Sequence, residues 1–152
     1  TEGSAGHFNC PHAIFVDTRK NDPELYVADR GNGRIQVYDM NGSFKRTFGD
    51  DIFITPSGIV TDGDLMIVAE LSARITILDM DDKLVTYLGD NHQVSDGEGW
   101  PNELDSDGVP SRTSRLEPGK FNSPHGLGVD PDGNLYVAEW LIGGRFTRLV
   151  KM

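Results

Sequence analysis

Pro11-His12-Ala13-Ile14-Phe15-Val16-Asp17, Leu25-Tyr26-Val27-Ala28-Asp29, Arg34-Ile35-Gln36-Val37-Tyr38-Asp39 and Phe44-Lys45-Arg46-Thr47-Phe48-Gly49 form four short apolar-rich runs in succession. About 45 residues on, the order returns as Pro56-Ser57-Gly58-Ile59-Val60, Leu65-Met66-Ile67-Val68-Ala69-Glu70, Arg74-Ile75-Thr76-Ile77-Leu78-Asp79 and Leu84-Val85-Thr86-Tyr87-Leu88-Gly89. A third copy starts at Pro124 with His125-Gly126-Leu127-Gly128-Val129-Asp130 and continues through Leu135-Tyr136-Val137-Ala138-Glu139 to Arg145-Phe146-Thr147-Arg148-Leu149-Val150. The second run of each copy is almost wholly apolar, as a strand buried on both faces requires. The third run alternates, as a half-exposed strand does. Asn41-Gly42 and Asp132-Gly133-Asn134 supply the residues that tight reversals need. A unit of this length with four antiparallel strands is the signature of a propeller blade.

The reading is therefore an all-β chain of three β-propeller blades, about half of a six-bladed ring. The blades cover 11–49, 56–89 and 124–152, and an insertion loop covers 90–119. The third blade has only three runs, so its outermost strand is missing and an unpaired edge is expected. Thr1 to Cys10 read as a connecting loop, not as that strand. The missing propeller half and strand are expected from outside these residues, either from a longer polypeptide, which is favoured, or from a second copy. The chain opens on Thr1 without an initiator Met or signal peptide, which suggests a boundary set by processing or proteolysis.

Composition narrows the partners. Fourteen Lys and Arg against 24 Asp and Glu give a net charge of −10, a sign that disfavours phosphate backbones, so no nucleic acid is expected. No apolar run is long enough for membrane insertion. Cys10 is the sole cysteine, so no disulfide forms within the chain. The compartment stays open on these grounds, with a secreted or periplasmic one favoured. Cys10 itself is expected to be a small buried residue.

Antiparallel geometry puts the start of each first strand, the end of each second strand and the inter-blade loops on one face. His12, His125, the Asp29-Arg30-Gly31-Asn32 turn, Glu70, Glu139-Trp140 and the insertion are thus expected together. His12 and His125 hold the same place in the first and third blades, where the second blade has Ser57. Two such imidazoles either converge on one metal, with a third donor from another blade, or each caps a turn or binds a loop carbonyl. Spacing is compatible with both. Arg34, Arg74 and Arg145 recur in register and read as structural clamps between blades. Asp105-Ser106-Asp107-Gly108 is only superficially like a calcium loop, because no Glu follows at the right distance. His7 and His92 lie outside the repeat register and read as solvated.

The motifs Phe8-Asn9-Cys10-Pro11-His12-Ala13, Phe121-Asn122-Ser123-Pro124-His125-Gly126-Leu127 and Val27-Ala28-Asp29-Arg30-Gly31-Asn32-Gly33-Arg34-Ile35-Gln36 resemble the catalytic domain of peptidyl-α-hydroxyglycine α-amidating lyase, a six-bladed NHL-type propeller. The resemblance covers all three blades, nominally the C-terminal half of that domain. It implies zinc on His12 and His125, Arg30 as the catalytic-site residue that holds a substrate carboxylate, and a small anionic or peptidyl substrate. Arg is suited to that role by its planar donor fork. Asn32, Glu139 and Trp140 are further substrate-binding candidates on the same face. The family's third metal-binding His and catalytic Tyr have no counterpart in these three blades, nor do its disulfides. The Asp that helps hold calcium in the family is Gly126 here. Bacterial hypothetical propellers share the Glu139-Trp140 and Gly89-Asp90-Asn91 features. The alternative to a zinc lyase-like enzyme is a non-catalytic NHL scaffold for a protein or glycan partner.

Overall fold

The computed structural model describes residues 4–152. Its strands fall in the order of the repeats. The first blade is β1 (Pro11–Asp17), β2 (Glu24–Asp29), β3 (Arg34–Asp39) and β4 (Phe44–Phe48), antiparallel and side by side. The second is β5 (Pro56–Asp62), β6 (Leu65–Glu70), β7 (Arg74–Leu78) and β8 (Leu84–Leu88). The insertion folds into a two-stranded hairpin, β9 (Glu103–Leu104) and β10 (Pro110–Ser111). The third blade has three strands, β11 (Pro124–Val129), β12 (Leu135–Glu139) and β13 (Arg145–Leu149), and β13 is its outer edge. Among the described residues only two short 3₁₀ turns, Arg30–Asn32 and His92–Asp96, interrupt the β-structure. No helix among the described residues is long and apolar enough to cross a membrane.

Turn chemistry repeats with the strands. Asp39, Asp79, Asp105 and Asp130 each accept, on Oδ1, the N–H groups two and four residues ahead. This carboxylate-organised reversal stands at the ends of β3, β7, β9 and β11. It also explains Asp105-Ser106-Asp107-Gly108, which is the tip of the β9–β10 hairpin.

The blades stack face to face through alternating side chains of β6. Met66 and Val68 join Tyr26, Ala28, Ile35 and Val37 of the first blade in one cluster, and Ile67 and Ala69 join Leu135 and Val137 of the third in another. A strand between two sheets must be apolar on both faces. The innermost strands lie in sequence, β5 between β1 and β11.

A recurring ion pair holds each blade to the loop that leads into it. Arg34, Arg74 and Arg145 donate through Nε to Asp29, Glu70 and Glu139, each at the end of the neighbouring second strand. Their Nη2 groups also reach the carbonyls of His7, Ile52 and Lys120, each four residues before the blade's first Pro. The same carboxylates accept N–H bonds from Asn9, Ile54 and Asn122, each two residues before that Pro. The arginines are clamps, as expected, but each works within its own blade and not between blades. The two blades' other link lies at the opposite end, where Arg46 pairs with Glu24 and with Asp82 of the second blade, and Asp82 accepts from Tyr26.

Candidate functional site

The three innermost strands share one irregularity. Their pairing shifts register between Pro11 and Ala13, between Pro56 and Gly58, and between Pro124 and Gly126. The skipped residues are His12, Ser57 and His125. A bulge re-aims the side chain it carries, and bulges are common beside functional sites. Here it turns three residues of equal register out of the ladder at one end of the inner strands.

The two imidazoles meet. Their ring centroids lie 4.7 Å apart with the planes at 88°. Ser57 organises the space between them. Its carbonyl is 2.6 Å from Nδ1 of His12, and its hydroxyl lies 3.1 Å from the carbonyl of Ala69 and 3.2 Å from that of Pro124. Nδ1 of His12 therefore carries the proton and Nε2 is left as the acceptor. A Cβ on Gly58 would stand 2.9 Å from the carbonyl of His125, so only glycine lets β5 and β11 come this close. His12 thus binds a main-chain carbonyl of β5 and sits beside His125.

Burial holds the His125 imidazole below its ordinary 6.5, with the His12 ring and the Arg30 guanidinium adding to the effect. A half-buried imidazole kept neutral has its lone pair available to a metal or a proton. Arg30 donates through Nη2 to Cys10 Sγ at 3.1 Å and has no carboxylate partner among the described residues. Cys10 is exposed, not buried as expected, and has a φ of 54°. Asn9 draws the 30–32 turn close: its carbonyl accepts from Gly31 N–H at 2.8 Å.

The other candidates separate. Asn32 donates to Asp29 at 2.8 Å and so braces the clamp. Glu139 is buried, with one oxygen on the Asn122 and Ser123 N–H groups and the other on Arg145. Its carboxylate holds the loop to the blade and does not face the histidines as a free group. Trp140 is 57% exposed, and its ring lies 6.3 Å from that of His125. His92 pairs with Asp90 at 2.8 Å, and His7 contributes its carbonyl to the clamp. The 90–119 insertion is docked beside this face: Arg112 reaches the carbonyls of Ile142 and Gly144, and Trp100 donates to Asn122 O at 3.0 Å. Sequence reasoning left out Ser57 and Gly58, and their only signal was their register with the two histidines.

A model of the NHL repeat matches residues 121–140, the stretch that forms β11 and β12. This stretch of the chain is similar to an NHL repeat. NHL repeat-containing protein 3 of Homo sapiens and of Mus musculus are each 34% identical to it over 79 residues, which is 47% of this chain and 21% of the relative. The NHL match thus spans about a fifth of the curated relatives' length. The matched residues include His125, Glu139 and Trp140, so the NHL-like stretch carries one of the paired imidazoles.

Proposed function

We propose that the loop-bearing face of these NHL blades holds a zinc-dependent, lyase-like site for a small anionic or peptidyl substrate. The observation that carries the reading is the His12–His125 pair, from strands two blades apart, with rings 4.7 Å from centroid to centroid. The donors suit two corners of a zinc site: His12 offers Nε2 because Nδ1 is tied to the Ser57 carbonyl, and His125 is kept neutral. Among the described residues no third His, Cys, Asp or Glu completes a set of three. The third donor of this reading comes from outside these blades.

The chemistry that a bound zinc supplies there is polarisation of a substrate oxygen. Arg30 anchors the substrate carboxylate through its two-pronged donor face. Among the described residues its side-chain partner is the Cys10 thiol, which a carboxylate readily displaces. Trp140 offers an exposed indole face next to His125 for the apolar body of the ligand. Calcium is a further candidate ion of this reading, with Gly126 at the place of its expected Asp.

The test is a zinc titration followed through the imidazole resonances. Saturable shifts of both rings are expected, and they disappear in His12→Ala and in His125→Ala. Zinc that leaves both rings unmoved sinks the proposal. The scaffold reading is favoured by a different observation, the exposed Trp140 and Ile142 at the rim of this face. A protein or glycan that binds equally well to both histidine variants would establish it instead.

A further inference from the structure

The bulged places of the three inner strands carry His12, Ser57 and His125, and the middle one bonds to both neighbouring blades. Ser57 is buried. Its carbonyl accepts the Nδ1 proton of His12, a side chain of the first blade, at 2.6 Å. Its hydroxyl lies 3.1 Å from the Ala69 carbonyl of its own blade and 3.2 Å from the Pro124 carbonyl of the third. That last carbonyl belongs to the peptide unit that leads into His125. One serine therefore holds the ring of one histidine and the main chain beside the other.

Gly58 meets the same main chain from the next place in β5. A Cβ there would stand 2.9 Å from the His125 carbonyl, so the two carbonyls that flank the His125 Cα both lie against residues 57 and 58. The two contacts differ in kind. Gly58 sets how close the strands come, and it does so by having no side chain. The Ser57 hydroxyl supplies a directed bond, its single proton shared between two carbonyl acceptors. Alanine at 57 would keep the carbonyl on which His12 depends and remove the link to the third blade. One substitution thus separates what the serine does for each histidine.

We propose that Ser57 is the positioning residue of the histidine pair: its carbonyl orients the His12 ring, its hydroxyl anchors the His125 main chain, and together they set the separation at which both rings reach one ion. The ion is the zinc of the reading above, on which this inference rests, whereas the positioning belongs to the metal-free chain. Ser57 itself is no ligand, because its hydroxyl is turned to the two carbonyls. Groups that hold metal ligands from behind are worth about ten- to a hundred-fold in metal affinity. Losing one of the two holds should weaken zinc binding by about ten-fold.

The experiment follows the isotope-labelled full chain by NMR, first without metal and then with zinc. Without metal, the parent should show an Nδ1-protonated His12 and a nuclear Overhauser effect between the two rings. Ser57→Ala should keep the His12 tautomer and lose the ring-to-ring effect. Ser72→Ala, which removes another buried hydroxyl from the same blade, should leave both as they are. An undiminished ring-to-ring effect in Ser57→Ala overturns the proposal, and so does an equal loss in Ser72→Ala. In the zinc titration, equal affinity of Ser57→Ala and the parent overturns it while the zinc reading stands. Zinc that moves neither ring of the parent sinks the zinc reading instead, and the ring-to-ring effect alone then decides the positioning.

Discussion

At the residue scale, His125 is the most informative position. It is drawn toward the neutral state first by burial and then by the charges of His12 and Arg30. Its folded pKa lies below the unfolded one, so it adds stability that is present above the unfolded pKa and lost as pH falls through the folded value. A proton NMR titration should give a His125 midpoint below 6.5. His12→Ala should raise that midpoint only part of the way, because the burial remains. A midpoint that His12→Ala leaves unmoved would mean that the rings are not coupled as their 4.7 Å spacing requires. The Pro-His motifs were legible at this scale, and so was the shared face. The bulges were not, because an extra residue in a ladder is a relation between two strands and leaves no mark on either one.

At the element scale, the ends of the strands are tied by charge. Glu70 has no exposed surface and bonds to Arg74 and to the Ile54 and Thr55 N–H groups. Removing its charge leaves a nearly buried guanidinium without its partner, so Glu70→Gln should cost about 3 kcal/mol in urea unfolding. Lys83→Gln on the exposed turn should stay within about 0.5 kcal/mol. At the other end of the blades, the Arg46 hydrogen bonds hold Glu24 down to about 2 despite its burial. Its contribution is complete above the ordinary 4.5 and is lost as pH falls toward 2. Unfolding midpoints followed from pH 5 to pH 2 should fall steeply in the parent chain and less steeply in Arg46→Ala. The recurrence of Arg34, Arg74 and Arg145 was visible in the sequence. Which loop each one grips was not, because its acceptors are main-chain carbonyls that every residue possesses.

At the scale of the whole molecule, the stack has two open faces. Ile14 is 70% exposed and Val16 43% on the outer side of the first blade, while Ile59, in the register of Ile14, is buried against that blade. Phe146 is 67% exposed on the far side of the third blade, in the register of the fully buried Ile35 and Ile75. Both faces present residues that the inner blades use for packing, so a neighbouring blade on either side would continue the same clusters. Ile14→Lys with Phe146→Lys should change the stability of the isolated chain by less than about 0.5 kcal/mol, since neither residue is in the core. The pair should also suppress self-association seen by light scattering. Unchanged association would place the contact elsewhere.

Strand order and the three repeated sheets were legible in the chain itself. They rest on local periodicity and turn residues that repeat every blade, and Val68 or Ile77 is apolar whichever neighbour covers it. Tertiary structure alone decided that the His12 and His125 ring centroids come within 4.7 Å, with His12 on the Ser57 carbonyl, and that Glu139 is consumed by a clamp. It also decided that the insertion is docked against the third blade. The physical reason is the same in each case. Periodicity records which side of a strand is buried, whereas a site is made by the distance between strands, and that distance is set by a glycine, a bulge and a carbonyl whose effects exist only once the blades have packed.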